Sequence, residues 1–164
     1  MVHKISVLGS GAFGTAIAAL IARNGHAVAL WCREEEVATE ITSQRSNSRY
    51  LKGISLPAGI VASHRLGDVV REAQIVLHAI PVAYLRSVLE QISREDDATL
   101  HAQAWVSLSK GIEDQTLMLP CDVISEVLGV PLQNIFAAGG PDIARELARG
   151  EFSGITLAGS REYD

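Results

Sequence analysis

Apolar stretches of two kinds alternate along the chain. Short continuous runs such as Lys4–Leu8, Ala27–Trp31 and Ile75–Ile80 predict strands buried on both faces. Shorter or weaker strands are expected at Ile60–Ala62, Ala104–Leu108, Ile135–Ala138 and Ser153–Ala158. Between them lie stretches with helical periodicity: Ala12–Asn24, Glu34–Ser43, Leu66–Ala73, Val82–Ile92, Leu117–Leu128 and Ile143–Arg149. In Val82–Ile92 the apolar Leu85, Val88, Leu89 and Ile92 share one face. Gly25 and Gly129 stand where helices should stop, and Pro81 closes a strand. Residues from Gln44 to Pro57 carry Ser, Asn, Gly and Pro without a period and read as irregular.

This alternation predicts an α/β domain of Rossmann type, a doubly wound, mainly parallel sheet with helices on both faces. Its 164 residues suit one domain, spanning 1–164. The 14 basic and 19 acidic residues leave a net charge of −5, so no broad basic field draws nucleic acid or anionic membranes. No run approaches the roughly 20 apolar residues of a membrane span, and no leader is expected at Lys4–Leu8, which runs directly into glycines. Cys32 and Cys121 follow no metal-ligand spacing and are expected to be free thiols of a cytoplasmic protein.

Any bound anion then needs a local site, and one is written at the end of the first strand. Gly9-Ser10-Gly11-Ala12-Phe13-Gly14 fits G-x-G-x-x-G between a strand and a helix, the context that makes the motif informative. Gly9 allows the tight turn, Gly11 admits a pyrophosphate against the backbone, and Gly14 lets the helix pack closely on the strand. The helix N-terminus offers unpaired N–H groups to the phosphates. NAD-specific sites usually place an acid at the end of the second strand. Trp31-Cys32-Arg33 offers none there. Arg33 suits a 2′-phosphate or an adenine face, which tilts the site towards NADP, or it pairs with the acids at 34–36.

Four segments together resemble the N-terminal domain of the soluble NAD(P)-dependent glycerol-3-phosphate dehydrogenases. They are the glycine turn through Ala16 with Leu30-Trp31-Cys32-Arg33, then Asn47 to Pro57, Ser109-Lys110-Gly111-Ile112-Glu113, and Gly140-Pro141-Asp142-Ile143-Ala144-Arg145-Glu146. The resemblance implies interconversion of dihydroxyacetone phosphate and sn-glycerol 3-phosphate for glycerophospholipid synthesis, with NAD or NADP as cofactor. It implies that Ser10, Ala12, Phe13, Arg33 and Ala144 line the cofactor, that Lys110 lies between cofactor and substrate, and that Gly140 and position 142 touch the substrate. Lys110 also makes sense by place, since it follows a strand whose carboxyl end faces the ligand side of such sheets.

The chain departs from the resemblance in places. Asp142 stands where the family usually has Ser or Thr, and an anion there repels a phosphate. As N-cap of Ile143–Arg149 the same residue is equally well explained. Lys52 replaces a usual proline, and Val82-Ala83 replaces a usual polar pair. The family's helical C-terminal domain, with its proton-transferring lysine, is not in this sequence. The chain alone is therefore expected to bind cofactor without turning over, and its uncovered apolar surface is expected to favour homo-oligomers. A non-catalytic nucleotide-binding module and a reductase of another small oxoacid remain as alternatives. His26 reads as structural, His78 as a satisfied core residue, and Glu95-Asp96-Asp97 as a solvated turn.

Overall fold

The computed structural model describes residues 2–95 and 102–159. Asp96, Asp97 and the terminal 160–164 lie outside the described residues. Seven strands form one sheet: β1 (Lys4–Leu8), β2 (Ala27–Trp31), β3 (Ile60–Ser63), β4 (Ile75–His78), β5 (Ala104–Ser107), β6 (Ile135–Gly139) and β7 (Thr156–Gly159). Their order is β3-β2-β1-β4-β5-β6-β7. All pairs are parallel except β6 with β7, which is antiparallel at the edge. The chain therefore winds outward from β1 to β3, then crosses back to place β4 on the other side of β1. That reversal opens a crevice at the carboxyl ends of β1 and β4, where sheets of this kind bind ligands.

Helices α1 (Ala12–Arg23), α2 (Glu35–Gln44) and α6 (Ala144–Arg149) cover one face, and α3 (Leu66–Val70), α4 (Val82–Ile92) and α5 (Pro120–Leu128) the other. The near-continuous apolar strands follow from this two-sided burial. In β1, Val7 packs towards α1 and α2 while its neighbour Leu8 packs towards α4, and neither is exposed. Ala16 and Ile17 of α1 meet Leu147 and Ala148 of α6 in a further cluster. Small side chains on α1 permit that close approach.

Elements differ from expectation where tertiary pairing or proline intervenes. The helix expected over Leu117–Leu128 begins only at Pro120, because a proline suits the first helical position and holds the residue before it extended. Leu119 has φ −73° and ψ 153°, and Leu117 turns through a left-handed φ of 57°. The helix expected to run to Ala73 ends at Val70, and Glu72 adopts φ 61°. That kink lets Gln74 N–H donate to Lys4 O at 2.9 Å, which sets the register of β4 on β1. The last strand is Thr156–Gly159 rather than Ser153–Ala158. Among the described residues no helix is long and apolar enough to cross a membrane.

Candidate functional site: a crevice over the glycine turn

Each glycine of the turn has its own spatial reason. Gly9 sits at φ +109°, a conformation that side chains disfavour, and a Cβ there would lie 2.9 Å from Ala79 O. A Cβ on Gly14 would lie 1.9 Å from Gly9 O, so only glycine lets α1 start against the turn. A Cβ on Gly11 would meet nothing within 4 Å. It would project into free space above the turn, which is what close approach of a ligand to the backbone demands.

Gly11 caps α1 without a side-chain hydrogen bond. Thr15 N–H is the first helical amide to find a backbone carbonyl, Gly11 O at 3.0 Å. The amides of Ala12, Phe13 and Gly14 are thus the helix's open donors. The turn beneath them is pinned from outside the motif. Asn47, fully buried, donates through Nδ2 to Ser10 O at 2.9 Å and to Thr15 Oγ1 at 2.8 Å. Thr15 Oγ1 itself donates to Ser10 O at 3.0 Å, and Asn47 Oδ1 accepts from Tyr50 N–H. The irregular segment from Gln44 to Pro57 therefore has a task that its composition does not reveal.

Over the turn lies a cavity of about 630 Å³. Gly9 through Gly14 form its floor, and Trp31, Arg33 and Glu34 its wall at the end of β2. Tyr50 and His64 close that end, while Pro81 and the α4 residues Tyr84, Ser87, Val88 and Gln91 form the opposite wall. Seven residues expected here, Gly9, Ser10, Gly11, Ala12, Phe13, Gly14 and Arg33, are thus brought together. Volume, open amides and the bare space over Gly11 fit a dinucleotide's pyrophosphate.

Sequence reasoning missed Glu34, Tyr50, His64, Tyr84, Ser87 and Gln91. For Glu34 there was a signal. An acid was sought at the strand's end, and this one stands just past it. Its Oε1 accepts from Arg33 Nη2 at 2.7 Å and from Tyr50 Oη at 3.1 Å, with Arg49 Nη2 at 3.9 Å. The hydrogen bond from Arg33 is the first reason its carboxyl titrates below the usual range. For Tyr84, Ser87 and Gln91 no signal existed, because the polar face of an amphipathic helix looks the same whether it meets a ligand or water.

Lys110, Gly140, Asp142 and Ala144 do not line this cavity. Exposed Lys110 lies in the loop after β5, and the others at the β6–α6 turn, all on the same carboxyl edge of the sheet. A Cβ on Gly140 would lie 2.2 Å from Gly154 O, so chain packing alone already requires glycine there. Asp142 is not the helix cap. Helix α6 starts at Ala144, with Ile143 as its N-cap and no side-chain cap bond. Asp142 Oδ1 instead accepts from the Ser153 hydroxyl, because the backbone closes Gly154 onto Gly140 and brings that serine within reach.

Two ties hold the Lys110 loop. Arg86 of α4 donates from Nε and Nη2 to both oxygens of Glu113, at 2.9 and 2.8 Å, and from Nη2 to Glu126 of α5 at 2.8 Å. Ser109 Oγ donates to Ile80 O and lies 3.1 Å from His78 Nδ1. A hydroxyl has one proton, so the imidazole must donate from Nδ1. His78 Nε2 is then a bare buried acceptor without a partner among the described residues, and the ring is only half satisfied, contrary to expectation. Burial lowers the His78 pKa to about 3. His26 is structural as expected, accepting from His3 N–H at 3.3 Å. Cys32 and Cys121 are free, and burial raises the Cys32 thiol to about 11.

Comparison with known proteins agrees with this geometry. The family described as NAD-dependent glycerol-3-phosphate dehydrogenase N-terminus matches residues 4–163. A glycerol-3-phosphate dehydrogenase [NAD(P)+] of Azotobacter vinelandii is 39% identical over 160 residues, covering 98% of this chain and 45% of that protein. The solved glycerol-3-phosphate dehydrogenase of Plasmodium falciparum superposes with a TM-score of 0.87 at 33% identity, covering 98% of this chain and 47% of that one. The Saccharomyces cerevisiae enzyme gives 0.85 at 31% identity, over 100% and 49%. The chain spans just under half the length of the relatives it matches. With a Rossmann sheet, a complete glycine turn and a match over nearly its whole length, the chain belongs to the family of the NAD-dependent glycerol-3-phosphate dehydrogenase N-terminus.

Proposed function

We propose that this chain is the cofactor-binding part of a cytoplasmic glycerol-3-phosphate dehydrogenase that interconverts dihydroxyacetone phosphate and sn-glycerol 3-phosphate. The observation that carries the reading is the cavity over the Gly9–Gly14 turn, which has open helix amides and no Cβ in the pyrophosphate position. The amides of Ala12, Phe13 and Gly14 hold the pyrophosphate, and Asn47 keeps their turn in shape. Trp31, Arg33, Glu34 and Tyr50 receive the adenosine end, since they stand at the end of β2. Pro81 and the α4 residues Tyr84, Ser87, Val88 and Gln91 wall the crevice on the side facing the glycine turn. When bound, the nicotinamide cofactor supplies or accepts the hydride.

Lys110 acts at the substrate end. Its ammonium is a donor to a carbonyl, hydroxyl or phosphate oxygen, and the Arg86–Glu113 and Ser109–Ile80 ties fix the loop that carries it. Gly140 shapes the neighbouring turn, and Ala144 opens α6 beside it. Asp142 is occupied with Ser153, which turns one carboxylate oxygen away from a phosphate. These residues bind and orient, but none of them forms a positioned proton donor with a relay behind it. Proton transfer by such a group typically contributes about 10²–10⁴-fold to rate.

The purified chain should therefore bind NADH in a calorimetric titration yet show no turnover of dihydroxyacetone phosphate. Absence of binding to either cofactor would overturn the nucleotide reading. Robust turnover would show that these residues themselves contain a proton donor.

A further inference from the structure

We infer that Glu34 is the residue that sets cofactor choice, holding Arg33 in an ion pair so that the crevice accepts the free ribose diol of NAD(H) over the 2′-phosphate of NADP(H). The inference rests on the proposed nucleotide site and goes beyond it. In sequence, Arg33 suits a 2′-phosphate, an adenine face or a pairing with the acids at 34–36; the structure pairs it with Glu34.

Glu34 stands just past β2, at the N-cap of α2, in the wall of the crevice near where dinucleotide sites of this fold meet the adenosine ribose. Its side chain is the enclosed partner, 16% exposed, while that of Arg33 is 69% exposed. The acid is therefore the fixed member of the pair. All its contacts fall on Oε1: Arg33 Nη2 at 2.7 Å and Nε at 3.3 Å, Tyr50 Oη at 3.1 Å and Arg49 Nη2 at 3.9 Å. Oε2 takes none among the described residues and is left as an acceptor. A ribose hydroxyl is a donor and suits it. A 2′-phosphate is an acceptor only, and it brings an additional charge of about −1.5 to −2 next to a carboxylate. To bind it, Arg33 has to leave Glu34, which strands an enclosed carboxylate with neutral Tyr50 and the more distant Arg49. Truncating one member of an enclosed charge pair is costly for the same reason.

Calorimetric titration of the chain with NADH and NADPH tests this, using the wild type, Glu34→Gln, Arg33→Ala and the double variant. Glutamine keeps an acceptor for Tyr50, so the fold is preserved, which a thermal melt checks. The wild type should bind NADH at least about tenfold more tightly than NADPH, the difference that losing one charge-assisted hydrogen bond makes. Glu34→Gln should move the ratio of the two affinities at least about tenfold towards NADPH, and Arg33→Ala on that background should remove the gain. Arg33→Ala alone, with Glu34 intact, should lower NADPH affinity further and never raise it, because the carboxylate then faces the 2′-phosphate without its counter-charge. A wild type that prefers NADPH, or a ratio unmoved in Glu34→Gln, overturns the inference while leaving the nucleotide site standing. Should the wild type bind neither cofactor, the site itself is wrong and the inference falls with it.

Discussion

The two ends of the sheet's carboxyl edge are built differently. At the β1–β4 crevice, the groups proposed to bind are mostly backbone: amides at the start of α1, a turn with glycines at three positions, and a carbonyl held by buried Asn47. At the β5–β7 end, the candidates are side chains on loops, and Lys110 is exposed. Around them Ile112, Leu117, Ile143, Phe152 and Leu157 also stand in solvent, with Phe152 fully exposed. The first region encloses a cavity, and Lys110, Gly140, Asp142 and Ala144 of the second take no part in its lining. Backbone sites are complete as soon as the local fold forms. Side-chain sites depend on what surrounds them.

The sharpest break of this contrast is Gly11→Val. Free space surrounds its would-be Cβ, so the thermal midpoint should hold within a few degrees. NADH affinity should fall at least about 100-fold, since a branched side chain occupies the phosphate position. An unchanged affinity in the folded variant would remove the turn from the site.

Asn47→Ala comes next. It strips two buried hydrogen bonds, leaving Ser10 O and Thr15 Oγ1 only the bond between them, and takes the acceptor from Tyr50 N–H, at a cost of about 1–3 kcal/mol in urea unfolding. Cofactor affinity should fall about tenfold as the turn loosens. Full affinity with reduced stability would mean that the turn holds its shape without the clamp.

His78 links the two regions, since it reaches from β4 to Ser109 beside Lys110. Its folded pKa is depressed to about 3 from 6.5, so below 6.5 the unfolded chain binds a proton that the native chain does not. Stability should thus fall as pH drops from 6.5 towards 3, by roughly 1.4 kcal/mol per pH unit from this group. Unfolding midpoints at pH 7 and pH 5, compared between wild type and His78→Val, read this out. Equal slopes would mean that the imidazole is protonated in the fold.

Lys110→Ala should have the smallest effect on this chain. Because the side chain lies outside the cavity, NADH affinity should change less than about threefold. A large loss would draw Lys110 into the nucleotide crevice and erase the distinction between the two ends.

Much of this was legible in the chain because its signals are local. Lys4–Leu8 and Ala12–Arg23 needed only run length and period, and the turn between them only three glycines at set spacing. The helical period runs from Leu117 through the loop ahead of Pro120, although that proline marks the helix start. Other features had no local signature at all. Nothing in Asn47 announces that it will meet Ser10, 37 positions away, and nothing in Arg86 that it will grip Glu113 and Glu126. Glu34 shows the boundary most clearly. In sequence it is one of three consecutive acids that Arg33 could pair with, but the fold brings Arg33, Tyr50 and Arg49 to its carboxylate and leaves its side chain 16% exposed. The alternation of strands and helices and the glycine turn were written in the chain, because periodicity and backbone sterics act between near neighbours. Which side chains became partners followed from the folded arrangement, because charge and hydrogen bonding depend on distance in space and on exclusion of water.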